Sequence, residues 1–384
     1  MTTNQYIPTT YCGSTPHIMV AVSGGVDSAV TAALLQKEGY KVTGVFMRNW
    51  EDDDGTEECT SMEDWLDAQK VCDSLNIELL QTNFSKEYKA RVFEPFIDLL
   101  KKGHTPNPDV LCNAMIKFAA LREFALNQGA DFLATGHYSR LVQDGEHTLL
   151  FQAKDQEKCQ SYFLYRVGSF AKCLMPLGNM QKDQVRVLAK QMGLHNHNRR
   201  DSTGICFIGK RNFSKFIDRY ITEQPGNIVD ESGKIVGQHK GLFHYTLGQR
   251  QGLGIGGIKG GIKSDENDTY SAPWFVIGKN MLENQLIVTQ GEESPSLYSS
   301  ELTADSLQWI GPKPELSLRP FACQAKVRYR SVTSSCTLQL TQGSAEDPEQ
   351  VIVKFNEPQR ALTLGQSVVF YLDGRCLGGG IICG

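Results

Sequence analysis

The chain has 11 cysteines among its 384 residues but no Cys-x-x-Cys pair. Their odd number and irregular spacing disfavour a secreted disulfide framework, a zinc ribbon or a cysteine-clustered iron–sulfur site. A reducing compartment fits better, with most thiols, Cys72 and Cys173 among them, serving as small core residues. No apolar run approaches the roughly 18 residues that span a bilayer, so no membrane partner is expected. Met1 to Pro16 carries no Lys or Arg and looks neither like a secretory signal nor like an Arg-rich transit peptide. Nor is the chain basic. Its formal net charge of −4 argues against a non-specific nucleic-acid coat, yet leaves room for one RNA bound on a local basic face. There is no internal repeat.

Hydrophobic residues make up 40% and charged residues 21%, the profile of a folded protein too long for one ordinary core. The first half alternates strand-like and helix-like segments. His17 to Ser23 is an apolar run ending in glycines, followed by helix-like Ala29 to Glu38, strand-like Lys41 to Met47 and a helix around Met62 to Leu75. Strand-like Ile77 to Asn83, helices over Lys86 to Lys101 and Asn113 to Leu126, and strand-like Asp131 to Gly136 continue the pattern. This order predicts a doubly wound α/β domain whose parallel sheet is covered on both faces. Helices are also expected over Lys182 to Met192 and Phe213 to Tyr220. After about Pro225, Gly-rich and β-branched segments dominate: Asn227 to Val236, Gly252 to Gly261, Trp274 to Gly278 and Leu286 to Thr289. Strand-like Ala322 to Arg330, Thr337 to Thr341, Val351 to Phe355 and Ser367 to Leu372 then suggest barrels or sandwiches. Boundaries near 222 and 292 divide the chain into 1–222, 223–291 and 292–384.

Ser23-Gly24-Gly25-Val26-Asp27-Ser28 lies between the first strand and the first helix. Glycines admit a phosphate close to the backbone, and a helix N-terminus offers unpaired N–H groups. A plain turn with Asp27 or Ser28 as N-cap would also fit such a position. The full hexapeptide resembles the pyrophosphate loop of the adenine-nucleotide α-hydrolases, and no Walker loop occurs. ATP is therefore expected, while amide synthesis, guanylate or NAD synthesis and RNA thiolation all remain open.

Two cysteines bear on that choice. Thr105-Pro106-Asn107-Pro108-Asp109-Val110-Leu111-Cys112 is a proline-stiffened lead into a helix, and a thiol near a helix N-terminus is biased toward thiolate. Asp109, a turn earlier, is a helix cap or a proton acceptor. Cys206 lies between Gly204 and Gly209 with Lys210 and Arg211 close behind, cations that would favour a thiolate or persulfide anion. Taken singly, each cysteine could be a buried structural thiol.

Seven separated motifs decide the matter. They are Ser23 to Ser28, Phe46 to Trp50, Gly103 to Cys112, Thr135 to Tyr138, Asp201 to Phe213, His244 to Arg250 and Cys376 to Gly380. In this order they resemble the tRNA-specific 2-thiouridylase family and its mitochondrial counterparts, from about His17 to the C-terminus. The resemblance implies an N-terminal ATP pyrophosphatase-type domain, a small central β-domain and a C-terminal β-barrel. It assigns ATP to Ala21, Val22, Ser23, Gly24, Gly25, Val26, Asp27, Ser28, Met47 and Gly136, with Mg2+ accompanying the nucleotide and no residue named as a metal ligand. Asn107, Pro108 and Asp109 match the segment that receives the target base, with Asp109 the acid–base residue. Cys112 matches the nucleophile and Cys206 the persulfide carrier. His137, Lys158, Cys159, Gln160, Arg328, Tyr329 and Gln366 match contacts to tRNA. The implied partners are tRNA and a persulfide donor, either a cysteine desulfurase or a sulfur-relay protein. The implied compartment is the cytoplasm, or the mitochondrial matrix for a eukaryotic source. The chain departs from the family pattern at Ala114, where Lys is usual, Cys159, where Asp is usual, and Leu364, where Pro is usual. Its segment Gly260 to Ala272 is also longer than typical.

Overall fold

The computed structural model describes residues 15–51, 61–200, 213–255, 272–316, 319–341 and 349–384. The first strands are β1 (His17–Ala21), β2 (Lys41–Arg48), β3 (Leu79–Asn83) and β4 (Phe132–Ala134). A hairpin of β5 (Ser139–Asp144) and β6 (His147–Gln152) follows, and the chain then returns as β7 (Cys173–Leu174). One all-parallel sheet runs in the order β3-β2-β1-β4-β7.

Strand alternation sends neighbouring β1 side chains to opposite faces. Ile18 and Val20 enter a cluster with Ala29 and Ala33 of α1 (Val26–Lys37), Val71 of α2 (Ser61–Leu75), and Val185 and Ala189 of the helix Lys182–Gln191. Met19 enters the opposite cluster, with Phe93, Phe96 and Leu100 from one helical stretch and Cys112, Ile116 and Leu121 from another. Each fully buried aliphatic or aromatic side chain contributes about 1.5–3 kcal/mol relative to exposure, so these two layers hold the domain together. The expected doubly wound architecture is present. The two helical stretches on the Met19 face, 85–101 and 108–127, each contain a π-helical segment, Lys89–Phe93 and Cys112–Ala120.

The central domain is a four-stranded sheet of β8 (Gly226–Asp230), β9 (Ile235–His239), β10 (Trp274–Asn280) and β11 (Gln285–Gln290), in the order β10-β11-β8-β9. Asn227 to Val236 is a hairpin, because the Asp230 carboxylate accepts the N–H groups of Ser232 and Lys234 and closes a turn. Gly252 to Ile255 forms no strand, and the remainder of that segment lies outside the described residues.

β12 (Tyr298–Trp309), β13 (Phe321–Lys326), β14 (Ser334–Leu340), β15 (Val351–Arg360), β16 (Ser367–Leu372) and β17 (Arg375–Ile382) make the C-terminal barrel. It is closed because β12 pairs with both β15 and β17. A Cβ on Gly379 of β17 would lie 2.3 Å from the Val368 carbonyl oxygen and 2.8 Å from the Tyr165 ring, so only glycine allows this close approach. β17 also pairs with β6, through Arg375 opposite Phe151 and Cys376 opposite Leu150. The β5–β6 hairpin of the first domain thereby extends the barrel's sheet.

Candidate active site

In the order β3-β2-β1-β4, the winding of the strands reverses between β1 and β4, and open α/β sheets bind ligands at the carboxyl ends of the strands beside such a switch point. The hexapeptide loop follows β1 there. Val22 N–H donates to the Val45 carbonyl at 2.9 Å, and Ser23 N–H donates to Ser28 Oγ at 3.1 Å. Gly24 has φ +74°, and a Cβ on it would meet the Asp64 carbonyl oxygen at 2.7 Å, so glycine is required for both conformation and space. The N-cap of α1 is Gly25, with no side-chain cap. Neither Asp27 nor Ser28 fills that role. The first N–H groups of a 12-residue helix are thus left for an anion. Gly136, just beyond β4, closes the other side: a Cβ on it would lie 2.9 Å from both the Asp27 carbonyl carbon and Ser28 N. Ala21 ends β1, and Met47, near the end of β2, is half-buried beside the same opening.

Four further side chains, none given a role from the sequence, build this loop. Lys182 Nζ donates to both Asp27 oxygens at 2.7 and 2.8 Å, and Tyr138 Oη donates to Asp27 Oδ1 at 2.8 Å. Asn196 Nδ2 and an Arg199 nitrogen donate to the Gly24 carbonyl at 2.8 and 3.1 Å, while Arg199 also pairs with Asp64 and Asp67. Lys182 opens an amphipathic helix, a position that ordinarily marks a solvated cation. Tyr138 did fall inside a recognised motif, which gave no hint of its partner.

The cysteine loop is capped by Asn107, whose Oδ1 accepts the Asp109 N–H at 3.1 Å. The cap expected of Asp109 therefore belongs to Asn107, and Asp109 sits in the first turn of the helix starting at Pro108. Cys112 follows one turn later and is 1% exposed. Its core cluster includes Phe216 and Ile217 of the helix Phe213–Ile217 and Phe243 of the central domain. Cys206, with Lys210 and Arg211, lies outside the described residues. Cys72 and Cys173 are core thiols as anticipated, and burial pushes each up to about 12.

The residues matched to tRNA contacts gather along the seam between the first domain and the barrel. Tyr329 packs on Phe163 with ring centroids 4.4 Å apart, and burial, then Cys159, raises the pKa of its hydroxyl against the opposing pull of Lys158 and Arg330. Arg328 donates to the Ala361 carbonyl at 2.6 Å, and burial together with Arg360 pulls its pKa down. Gln160 Oε1 accepts the Tyr138 N–H at 2.9 Å. Gln366 Nε2 donates to the Thr105 carbonyl at 2.5 Å, reaching the cysteine loop itself. Two members point inward instead. Cys159 is buried, with its sulfur 3.2 Å from Ser161 Oγ. His137 is buried against Phe118 and hydrogen-bonded to Thr135 Oγ1 at 2.9 Å; burial, then Lys117, holds it well below the usual histidine range. Ala114 is also buried.

Residues 16–210 match the family described as tRNA methyl transferase HUP domain, 214–290 the tRNA methyl transferase PRC-barrel domain, and 299–382 the aminomethyltransferase beta-barrel domain. The chain is 49% identical over 367 residues to the tRNA-specific 2-thiouridylase MnmA of Hahella chejuensis (strain KCTC 2396), covering 95% of this chain and 96% of that one. It is 48% identical over 367 residues to the protein of the same name from Pseudomonas entomophila (strain L48), covering 95% and 94%. Among solved structures, the U34-tRNA thiolase NcsA from Methanococcus maripaludis is similar over 54% of this chain and 66% of that chain, at 20% identity and a TM-score of 0.34. With its motifs, its three-domain order and relatives matched almost end to end, the chain belongs to the tRNA-specific 2-thiouridylase family.

Proposed function

We propose that this member of a family of ATP-dependent tRNA sulfurtransferases converts the wobble uridine of tRNA to 2-thiouridine through Cys112 and Cys206. The observation that carries this reading lies in the described residues on either side of 201–212 in the chain. Just before it, Asn196 and Arg199 hold the nucleotide loop; just after it, Phe216 and Ile217 pack into the core that contains Cys112. Cys206, the persulfide carrier of this reading, lies between these two flanks in the sequence.

The uridine leaves its stack to reach the pocket, as in other base-modifying enzymes. Its position-2 oxygen attacks the α-phosphate of ATP, expelling pyrophosphate toward the first turn of α1 and the loop Ala21 to Ser28, with Met47 and Gly136 completing the nucleotide site. Magnesium bound with the nucleotide would neutralise phosphate charge; the loop's own carboxylate, Asp27, has both its oxygens engaged by Lys182. Asn107, Pro108 and Asp109 receive the base, Asp109 handling its proton. Sulfur arrives on Cys206 from a cysteine desulfurase or relay protein. Either the persulfide attacks the activated carbon, or Cys112 releases its outer sulfur as hydrosulfide. Both routes expel AMP and end in a Cys112–Cys206 disulfide, which an external reductant reopens. Lys158, Gln160, Arg328, Tyr329 and Gln366 guide the tRNA along the domain seam, with His137 and Cys159 buried behind it. The working units are 1–222, 223–291 and 292–384, in the cytoplasm or, for a eukaryotic source, the mitochondrial matrix.

Nucleoside mass spectrometry after incubation with tRNA, ATP, magnesium and a persulfide donor tests the activity. Cys206→Ser should abolish 2-thiouridine while retaining tRNA-dependent exchange of labelled pyrophosphate into ATP. Loss of that exchange would overturn the division of labour, and ATP turnover independent of tRNA would favour a small-molecule synthetase.

A further inference from the structure

The loop that leads to Asn107 and Cys112 is held from outside its own domain. Gly103 has φ +81°, and a Cβ there would lie 2.5 Å from the Met281 sulfur of the central domain. The Gly103 carbonyl accepts Lys279 Nζ from β10 at 2.9 Å. Two residues on, Thr105 N–H donates to the Leu364 carbonyl at 2.9 Å, and its hydroxyl lies 3.5 Å from that of Thr246. Both β-domains thus grip Gly103 and Thr105, and Pro106 and Pro108 stiffen the path to the Asn107 cap.

Among the described residues no carboxylate pairs with Lys279. Lys279 bears on His104 of the loop, on which Lys102 and Asp305 of β12 also act. Burial pushes the Lys279 ammonium down to about 8. A partly buried cation without a counter-ion costs stability, and an apolar side chain would pack there more favourably. The cation is instead directed at a single carbonyl on the loop.

We propose that Lys279 of the central domain is a positioning residue for thiolation, fixing the Gly103 carbonyl and through it the placement of Asn107, Asp109 and Cys112. The proposal rests on the function argued above for that loop. A misplacement of about 1 Å remote from the chemistry can cost on the order of a hundredfold in rate, whereas the nucleotide loop is held by Ser28, Lys182, Asn196 and Arg199 rather than by residues 103–105.

The full-length protein and its Lys279→Met and Lys279→Arg variants would be compared with tRNA, ATP, magnesium and a persulfide donor. Lys279→Met should lower kcat about 10- to 100-fold with the Kd for ATP unchanged. Hydrogen exchange should quicken selectively in the 104–111 peptide, and Lys279→Arg, which keeps a donor, should recover part of both losses. Wild-type kcat in Lys279→Met overturns the proposal, as does faster exchange spread across the whole chain. If the wild-type protein itself makes no 2-thiouridine, the functional reading fails, and the exchange of 104–111 alone decides whether Lys279 anchors the loop.

Discussion

Asp27 belongs to a loop legible in the sequence, but its electrostatic setting comes from Lys182, 155 positions away. The Lys182 side chain is 8% exposed and that of Asp27 31%. Lys182→Met should therefore lower the unfolding free energy by ~2–3 kcal/mol, less than the roughly 3–5 kcal/mol of breaking a fully buried pair. The unneutralised Asp27 should also repel the triphosphate and weaken ATP binding about tenfold, equivalent to ~1.4 kcal/mol. Urea titration and calorimetry measure the two effects, and an unchanged Kd for ATP would remove Lys182 from the nucleotide site. Lys279 permits a pH prediction. Its folded pKa of about 8 lies below the ordinary lysine value of roughly 10.4. The unfolded state then holds the proton to higher pH, so stability rises from pH 8 upward and is fully present above the unfolded value. Between pH 7 and 9.5 the wild-type protein should gain stability relative to Lys279→Met. Parallel denaturation midpoints across that range would show that the ammonium is not buried in solution.

Among the elements, the turn after β4 governs the nucleotide site as strictly as the loop after β1. Gly136 does not need a left-handed backbone; it needs the absence of a side chain, because the Asp27 and Ser28 backbone occupies the position of its Cβ. Backbone cannot yield as a flexible side chain can. Gly136→Ala should therefore push the loop out of place, weakening ATP binding at least about tenfold and lowering stability by ~1–3 kcal/mol, the usual range for overpacking. An alanine variant with wild-type ATP affinity would mean that the loop tolerates displacement. The β5–β6 hairpin carried a readable signal, since Asp144-Gly145 interrupts two strand-like runs. Its partner in the barrel carried none, because β6 and β17 are more than 200 residues apart.

At the scale of the whole molecule, the first domain and the barrel share a core. Leu150, Tyr162 and Tyr165 share a buried cluster with Val369, Tyr371 and Cys376 of the barrel, and Tyr162 Oη donates to the Ser367 carbonyl at 3.0 Å. Truncation to residues 1–291 would expose that cluster and leave the β6 edge unpaired. The fragment should aggregate, as size-exclusion chromatography with light scattering would report. A monodisperse fragment with a cooperative melt would show that the first two domains fold without the barrel.

The sequence by itself determined the doubly wound first domain, the two β-domains after it and the nucleotide loop, because short-range periodicity and a contiguous glycine motif encode them locally. It also marked the stiff Pro-Asn-Pro lead to Cys112 for the same reason. Only the tertiary structure decided that Asn107 rather than Asp109 caps that helix, since the two compete for one donor geometry. The pairing of Lys182 with Asp27 and the grip of Lys279, Leu364 and Gln366 on the 103–105 loop were likewise hidden, because such contacts join residues distant in the chain through burial and hydrogen-bond geometry. Periodicity carries no record of which remote cation will find a carbonyl; packing does.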